Sequence, residues 1–280
     1  MERNRKALTV KELCHLCGVS RSGYYAWKDR PISRRDRENE WLKIMIEQIL
    51  VYYRGIYGSP RVHAELRDQG IRCGRRRVAR LMRELGLVAR SKWVYRPNQS
   101  RRDLYGLYPN LLLNQPYPTV TNQHWVSDTT CFKVRGKWLH LAVVLDRYSR
   151  QVVGWAIGES RDSELVCAAL RMSLSRRRLE RPLVLHSDQG IEYASSNFKT
   201  LLKESGITQS MSRTGNPYDN AHVESFFKSL KAEVIQGRRF SYKAEAVAYV
   251  IDHINFNNYE RKHSSLGYMS PIEYEQATRR

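Results

Sequence analysis

Three carboxylates in distinct settings, Asp128, Asp188 and Glu224, are the residues of this chain best suited to chemistry. Asp128 lies in Trp125-Val126-Ser127-Asp128-Thr129-Thr130, Asp188 in His186-Ser187-Asp188-Gln189-Gly190, and Glu224 in His222-Val223-Glu224-Ser225-Phe226-Phe227, with 35 residues between the last two. A single acid is ordinarily solvated or salt-bridged. Three together supply hard oxygen ligands for Mg²⁺, with positions left open for a phosphodiester and a water. Two such ions, about 3.5–4 Å apart, stabilise the attacking and leaving oxygens of an in-line displacement. The acids therefore point to a nuclease-like site for two Mg²⁺ ions, with Mn²⁺ able to substitute.

The elements that must position them follow from periodicity. Asp128 falls in a β-prone run, and Asp188 ends the apolar run Leu183-Val184-Leu185-His186-Ser187 before a glycine turn, so both read as strand carboxylates. Val223, Phe226, Phe227, Leu230 and Val234 recur at helical spacing, and Glu224 borders that stripe. Lys231, seven residues on, returns to nearly the same angular position and is expected to reach a bound phosphate. Strands are expected at Trp125–Phe132, Lys137–Leu145 and Gln151–Ile157, then a helix around Ser163–Leu174, the Asp188 strand, a helix around Ser196–Glu204, a strand near Ile207–Met211 and the Glu224 helix. A crossover through the first of these helices can lay the Asp128 and Asp188 strands side by side in parallel. The Gly215-Asn216-Pro217 run is turn chemistry and reads mainly as the start of the Glu224 helix. The order βββαβαβα is that of a ribonuclease-H-like α/β core with a mixed five-stranded sheet.

The formal charge is +20 and the pI about 10.0, which points to a polyanionic partner, most simply nucleic acid. Residues 1–110 carry 25 Lys and Arg against 11 Asp and Glu, so the excess lies upstream of the acids. That half reads as all-helical. Residues 1–35 hold a short helix-turn-helix-like segment: Thr9 to Glu12 is a capping box, Gly18 marks a turn and Ser20 opens a second helix. Residues 31–40, charged and poor in apolar positions, read as a linker. Residues 41–92 form a three-helix, helix-turn-helix-like DNA-binding module. Its first helix carries Leu42, Ile46, Ile49, Leu50 and Tyr53, its second starts with a cap and a first-turn proline at Ser59-Pro60, and its third has Val78, Leu81, Met82 and Leu85 inside. Arg75, Arg76, Arg77, Arg80 and Arg83 occupy the third helix's other faces, and guanidinium forks suit phosphates and guanine. Residues 93–123, rich in proline, read as a linker to the core at 124–280.

Five cysteines, odd in number and mostly far apart, argue against a disulfide framework, and the lone Cys14-x-x-Cys17 lacks a second ligand pair for zinc, so these read as buried helix residues. No run approaches the ~20 apolar residues of a membrane span and no signal peptide is evident, so a cytoplasmic protein is expected. His186 and His222 flank the acids, where histidines more often pack than ligate. Arg261 and His263 sit in a polar C-terminal run facing DNA or solvent.

Four motifs carry a resemblance. Asp128-Thr129-Thr130, His186-Ser187-Asp188-Gln189-Gly190, Ser210 through Asn220, and Glu224-Ser225-Phe226-Phe227-Lys228-Ser229-Leu230-Lys231 resemble the second-reading-frame transposase of the insertion-sequence-three family. Arg261-Lys262-His263-Ser264-Ser265-Leu266-Gly267-Tyr268 in the tail and Tyr57-Gly58-Ser59-Pro60-Arg61 upstream extend the likeness over nearly the whole chain. The resemblance implies an integrase-like core in which Asp128, Asp188 and Glu224 bind Mg²⁺, cleavage at transposon ends, and strand transfer into target DNA. It also implies an oligomer on DNA and a partner, the upstream-frame product or a frameshift fusion to it. Thr129 departs from the aliphatic residue usual at that position. Two other readings share features of the chain: a retroviral-type integrase or nuclease, for which the upstream zinc module is missing, and a DNA-binding regulator without catalysis, which the three intact acids oppose.

Overall fold

A computed structural model describes residues 9–88, 108–113, 115–212 and 220–278. The carboxylates sit in an α/β unit whose sheet has the order β3-β2-β1-β4-β5. Strands β1 (His124–Val134), β2 (Lys137–Asp146) and β3 (Val152–Gly158) form an antiparallel meander, after which helix α6 (Ser163–Arg176) crosses over to β4 (Leu183–Ser187). Strand β4 pairs in parallel with β1, and β5 (Ile207–Met211) in parallel with β4. The mixed five-stranded sheet follows from this: hairpins need only tight turns, whereas the two parallel pairings require helical crossovers.

Both faces of the sheet are covered. Leu139, Leu141, Val143 and Leu145 of β2 point into one core, with the helices α9 (Ala221–Leu230) and α10 (Lys243–Tyr259). Ala142 and Val144, one register step away, point into another, with α6 and α8 (Ser196–Glu204). Burial on both faces is why β2 reads as continuously apolar rather than alternating. At Gly154 the α6 backbone comes so close that a Cβ would stand 2.3 Å from the Ala169 carbonyl oxygen, which only glycine allows. A four-residue helix, α7 (Ile191–Ala194), leads from the Asp188 turn to α8.

The N-terminal half is helical. Helices α1 (Val10–Leu16) and α2 (Arg21–Lys28) pack on each other, and the Thr9–Glu12 capping box is present. Cys14 is buried, but Cys17, just past α1, is exposed, contrary to the expectation of two buried cysteines. Residues 34–40 are not a linker. Ser33 caps α3 (Arg34–Tyr52), and Asn39 is buried where it accepts a hydrogen bond from Arg77 Nε at 2.8 Å, so this charged stretch has one inward position that composition does not reveal. Helix α4 (Ser59–Asp68) has Gly58 at its N-cap with no side-chain cap, so Ser59 is its first helical residue rather than a capping one. Helix α5 (Arg75–Glu84) buries Val78, Leu81 and Met82.

This helical unit is docked on the core. Its hydrophobic cluster includes Phe256 of α10, Tyr53 stacks on Tyr57 with ring centroids 4.0 Å apart, and Arg54 pairs with Asp252 of α10. Tyr57 Oη donates to the Glu260 carbonyl at 3.2 Å and accepts from Lys262 N–H at 3.1 Å, while Arg61 Nε donates to the Lys262 carbonyl at 2.8 Å. The Tyr57-to-Arg61 motif thus reads the backbone of the Arg261-to-Tyr268 motif. Among the described residues, no helix is long and apolar enough to cross a membrane.

Candidate active site

Parallel pairing runs in register to Ser127 opposite Ser187, so Asp128, inside β1, and Asp188, just past the end of β4, follow side by side on adjacent strands. Each turns its carboxylate toward nearby backbone. Asp128 Oδ1 accepts from the Thr129 N–H at 2.7 Å, and Asp188 Oδ1 accepts from the Gly190 N–H at 3.1 Å. The glycine turn that marked the strand end in sequence therefore supplies a donor to the acid before it.

Glu224 arrives from a third element. Asn220, which precedes α9, donates from Nδ2 to the Ser127 carbonyl at 3.3 Å and pins the start of that helix to β1 one residue before Asp128. Val223, Phe226, Phe227, Leu230 and Val234 face the sheet as the periodicity predicts. The Glu224 carboxylate lies 3.8 Å from Lys228 Nζ, one turn on. Lys231, the cation expected on that face, stands half-buried where the α-helix gives way to a π-turn over Lys231–Ile235. The Gly215-Asn216-Pro217 turn lies outside the described residues.

The three acids share one electrostatic neighbourhood. Burial, then the charge of Asp188 and more weakly that of Glu224, push Asp128 up to about 8, against the Thr129 N–H and Arg161, which favour its ionised form. Among the described residues, no three His, Cys, Asp or Glu side chains are grouped closely enough to hold a metal ion. The donor set nonetheless fits a hard divalent cation. The neighbouring charge of Asp188 disfavours ionisation of Asp128, a cost that a cation would offset, and Glu224 on α9 adds a third carboxylate to the same field.

Sequence reasoning missed two residues here. Arg161, between β3 and α6, donates from Nε to Glu192 Oε1 at 2.7 Å and reaches to 3.9 Å from Asp188. Glu192, buried on α7, also accepts from Thr129 Oγ1 at 3.3 Å. Arg161 thus bridges the acid beside Asp128 to Asp188, a link invisible in sequence because its three parts lie on separate elements. Ser127 and Tyr193 share a buried hydrogen bond of 2.9 Å beneath the aspartates. His186 is fully buried, with Nδ1 hydrogen-bonded to Ser210 Oγ at 2.9 Å, a packing role as expected. Burial, then Arg150 and Arg147, lower His222 to about 3, so it stands neutral against Tyr117.

The five arginines of α5 divide. Arg77 is held by Asn39 and by Glu38 at 2.9 Å, and Arg80 pairs with Glu84. Arg75, Arg76 and Arg83 are exposed. Arg261, read in sequence as part of a polar run facing DNA or solvent, is 1% exposed and pairs with Glu233.

Residues 118–217 and 205–271 match family models described as integrase core domain, and residues 36–94 match an HTH-like domain. The chain is 38% identical to the insertion element IS600 uncharacterized 31 kDa protein of Shigella sonnei, spanning 94% of this chain and 97% of that protein. It is 35% identical to transposase InsF for insertion sequence IS3A of Escherichia coli strain K12, spanning 98% of this chain and 96% of that one. Among solved structures, the HTLV-2 integrase catalytic core domain in complex with magnesium aligns over 56% of this chain and 98% of that one, at 16% identity and a TM-score of 0.42. The BIV integrase catalytic core domain aligns over 56% and 95%, at 21% identity and a TM-score of 0.44.

Proposed function

The chain belongs to the family of IS3 insertion-sequence transposases, and from that premise we propose that Asp128, Asp188 and Glu224 are the catalytic acids of its integrase core and hold two Mg²⁺ ions. It is a polynucleotidyl transferase that acts by phosphoryl transfer, and in this reading its substrates are the ends of its own element and target DNA in the cytoplasm. Bound at the three acids, the ions lower the cost of charge on the entering and leaving oxygens of each displacement.

The observation that carries this reading is the convergence of three elements. Strands β1 and β4 run parallel to Ser127 and Ser187, and Asn220 fastens α9 to the Ser127 carbonyl. The protein's own contribution is positional: Thr129 and Gly190 amides orient the aspartates, and Arg161, held by Glu192, reaches toward Asp188. Glu224 joins the aspartates by leaving Lys228, which frees that cation for a phosphate. Arg75, Arg76 and Arg83 offer phosphate contacts on α5, with Arg77 and Arg80 contributing less because they are engaged within the protein, and Lys231 is a further contact at the end of α9. The working enzyme is an oligomer on DNA, completed by the upstream-frame product or a frameshift fusion to it.

The test is cleavage and joining of DNA carrying the element's ends, with Mg²⁺ and the upstream product, in wild type, Asp188→Asn and Glu224→Gln. Each substitution is expected to lower joining by at least about 10²-fold, beyond the 10–100-fold typical for groups that merely support metal ligands. Tight end binding without cleavage in any version would instead mark a DNA-binding regulator.

A further inference from the structure

Two motifs without an evident role in sequence meet at a cavity. Arg61 in the first turn of α4, Arg150 in the turn between β2 and β3, and Arg261 after α10 line a space of about 240 Å³ together with Ser229, Asn257 and His263. Arg261 is 1% exposed and gives Nη2 to Glu233, yet among the described residues its Nε and Nη1 have no hydrogen-bond partner. Arg150 Nη1 and His263 Nε2 are likewise buried and unpartnered. A buried donor left unsatisfied is costly, more so when it is charged, so this wall is built for an acceptor that the described residues do not provide.

Charge points the same way. Three guanidiniums converge on one space, where Glu233 pairs with Arg261. Burial, then the positive charges of Arg261, Arg61 and Arg150, drive His263 down to about 3, and burial, then Arg261, lower Arg61. Arg150 also holds a φ of 66°, a left-handed backbone that is strained for a non-glycine residue. Guanidinium forks match tetrahedral oxyanions, which accept several N–H bonds at once.

We propose that this cavity receives one phosphate group of a nucleic-acid strand, gripped by Arg61, Arg150 and Arg261 across the junction of the helical unit and the core. The cavity stands on its own geometry, and only the source of the phosphate rests on the transposase reading. Ser225 and His222 complete its wall from α9. Because Arg61 belongs to α4 and Arg261 to the core, an occupied cavity ties the two units together.

The experiment uses the full chain without metal. Inorganic phosphate is titrated by calorimetry against chloride of equal ionic strength, for wild type, Arg150→Gln and Arg61→Gln, with thermal unfolding as the check that each variant folds. Saturable binding of phosphate in wild type, weakened at least tenfold in both variants and displaced by a short single-stranded oligonucleotide, is expected. A wild-type chain that treats phosphate like chloride overturns the cavity's assignment. Phosphate binding that persists undiminished under saturating oligonucleotide overturns the strand as its source and leaves a free-anion site. Joining is not measured here, so failure of the transposase reading would leave a positive result intact.

Discussion

Tyr57→Phe isolates the joint between the helical unit and the core, because it removes one oxygen and leaves the ring stacked on Tyr53. That oxygen donates to the Glu260 carbonyl and accepts from the Lys262 N–H, which is buried. With phenylalanine the amide loses its acceptor and the carbonyl one donor. An unsatisfied buried group costs about 1–3 kcal/mol. The carbonyl retains a second lone pair and the neighbouring Arg61 contact to Lys262 survives, so about 2 kcal/mol is the central expectation. Since 1.4 kcal/mol is tenfold, the docked-to-open ratio should fall roughly 30-fold. Native-state hydrogen exchange read by mass spectrometry measures this directly: peptides spanning α4 and residues 260–263 should exchange about 30-fold faster, while those from β2 at the sheet's centre stay unchanged. Exchange of residues 260–263 unaltered in the variant would refute the idea that this hydroxyl holds the two units together, and equal acceleration in β2 would show global rather than local loss.

Three further outcomes are expected. Arg161→Ala leaves buried Glu192 without its cation, and should lower stability by roughly 1–3 kcal/mol in urea denaturation and joining by about 10–100-fold; unchanged values of both would remove Arg161 from the site. His263 is held at about 3 in the fold against an ordinary value near 6.5, so it stays neutral: its contribution is complete above pH 6.5 and lost as pH falls toward 3, at about 1.4 kcal/mol per pH unit, and His263→Gln should flatten that part of the stability profile. Arg75→Gln and Arg83→Gln should each reduce the slope of log affinity against log salt by about 0.9 while leaving unfolding midpoints in place, whereas Arg77→Gln should lower the midpoint, because Arg77 is tied to Asn39 and Glu38.

Much of the core was legible because local signals and tertiary demands agree there. The runs at β2 and β5, the stripe on α9 and the parallel partnership of the two aspartate strands all follow from period and crossover rules, and the structure has them. What was hidden depends on contacts between distant elements. The start of α3 at Arg34 needs Asn39 to be inward, which only Arg77 explains. Arg161 and Glu192 look like ordinary surface charges until β3, α6 and α7 are brought together. Arg261 reads as part of a polar run facing DNA or solvent, and its burial becomes visible only with Tyr57 and Arg61 docked on residues 260–262.

The central claim is that Asp128, Asp188 and Glu224 form one metal-binding catalytic site, and a crystal grown with Mn²⁺ and pre-cut end DNA tests it most directly. Anomalous density should lie between the Asp128 and Asp188 carboxylates, with Glu224 turned away from Lys228 to complete the ligand set. Manganese bound elsewhere, or absent from these acids in crystals of a preparation that joins DNA, would contradict it.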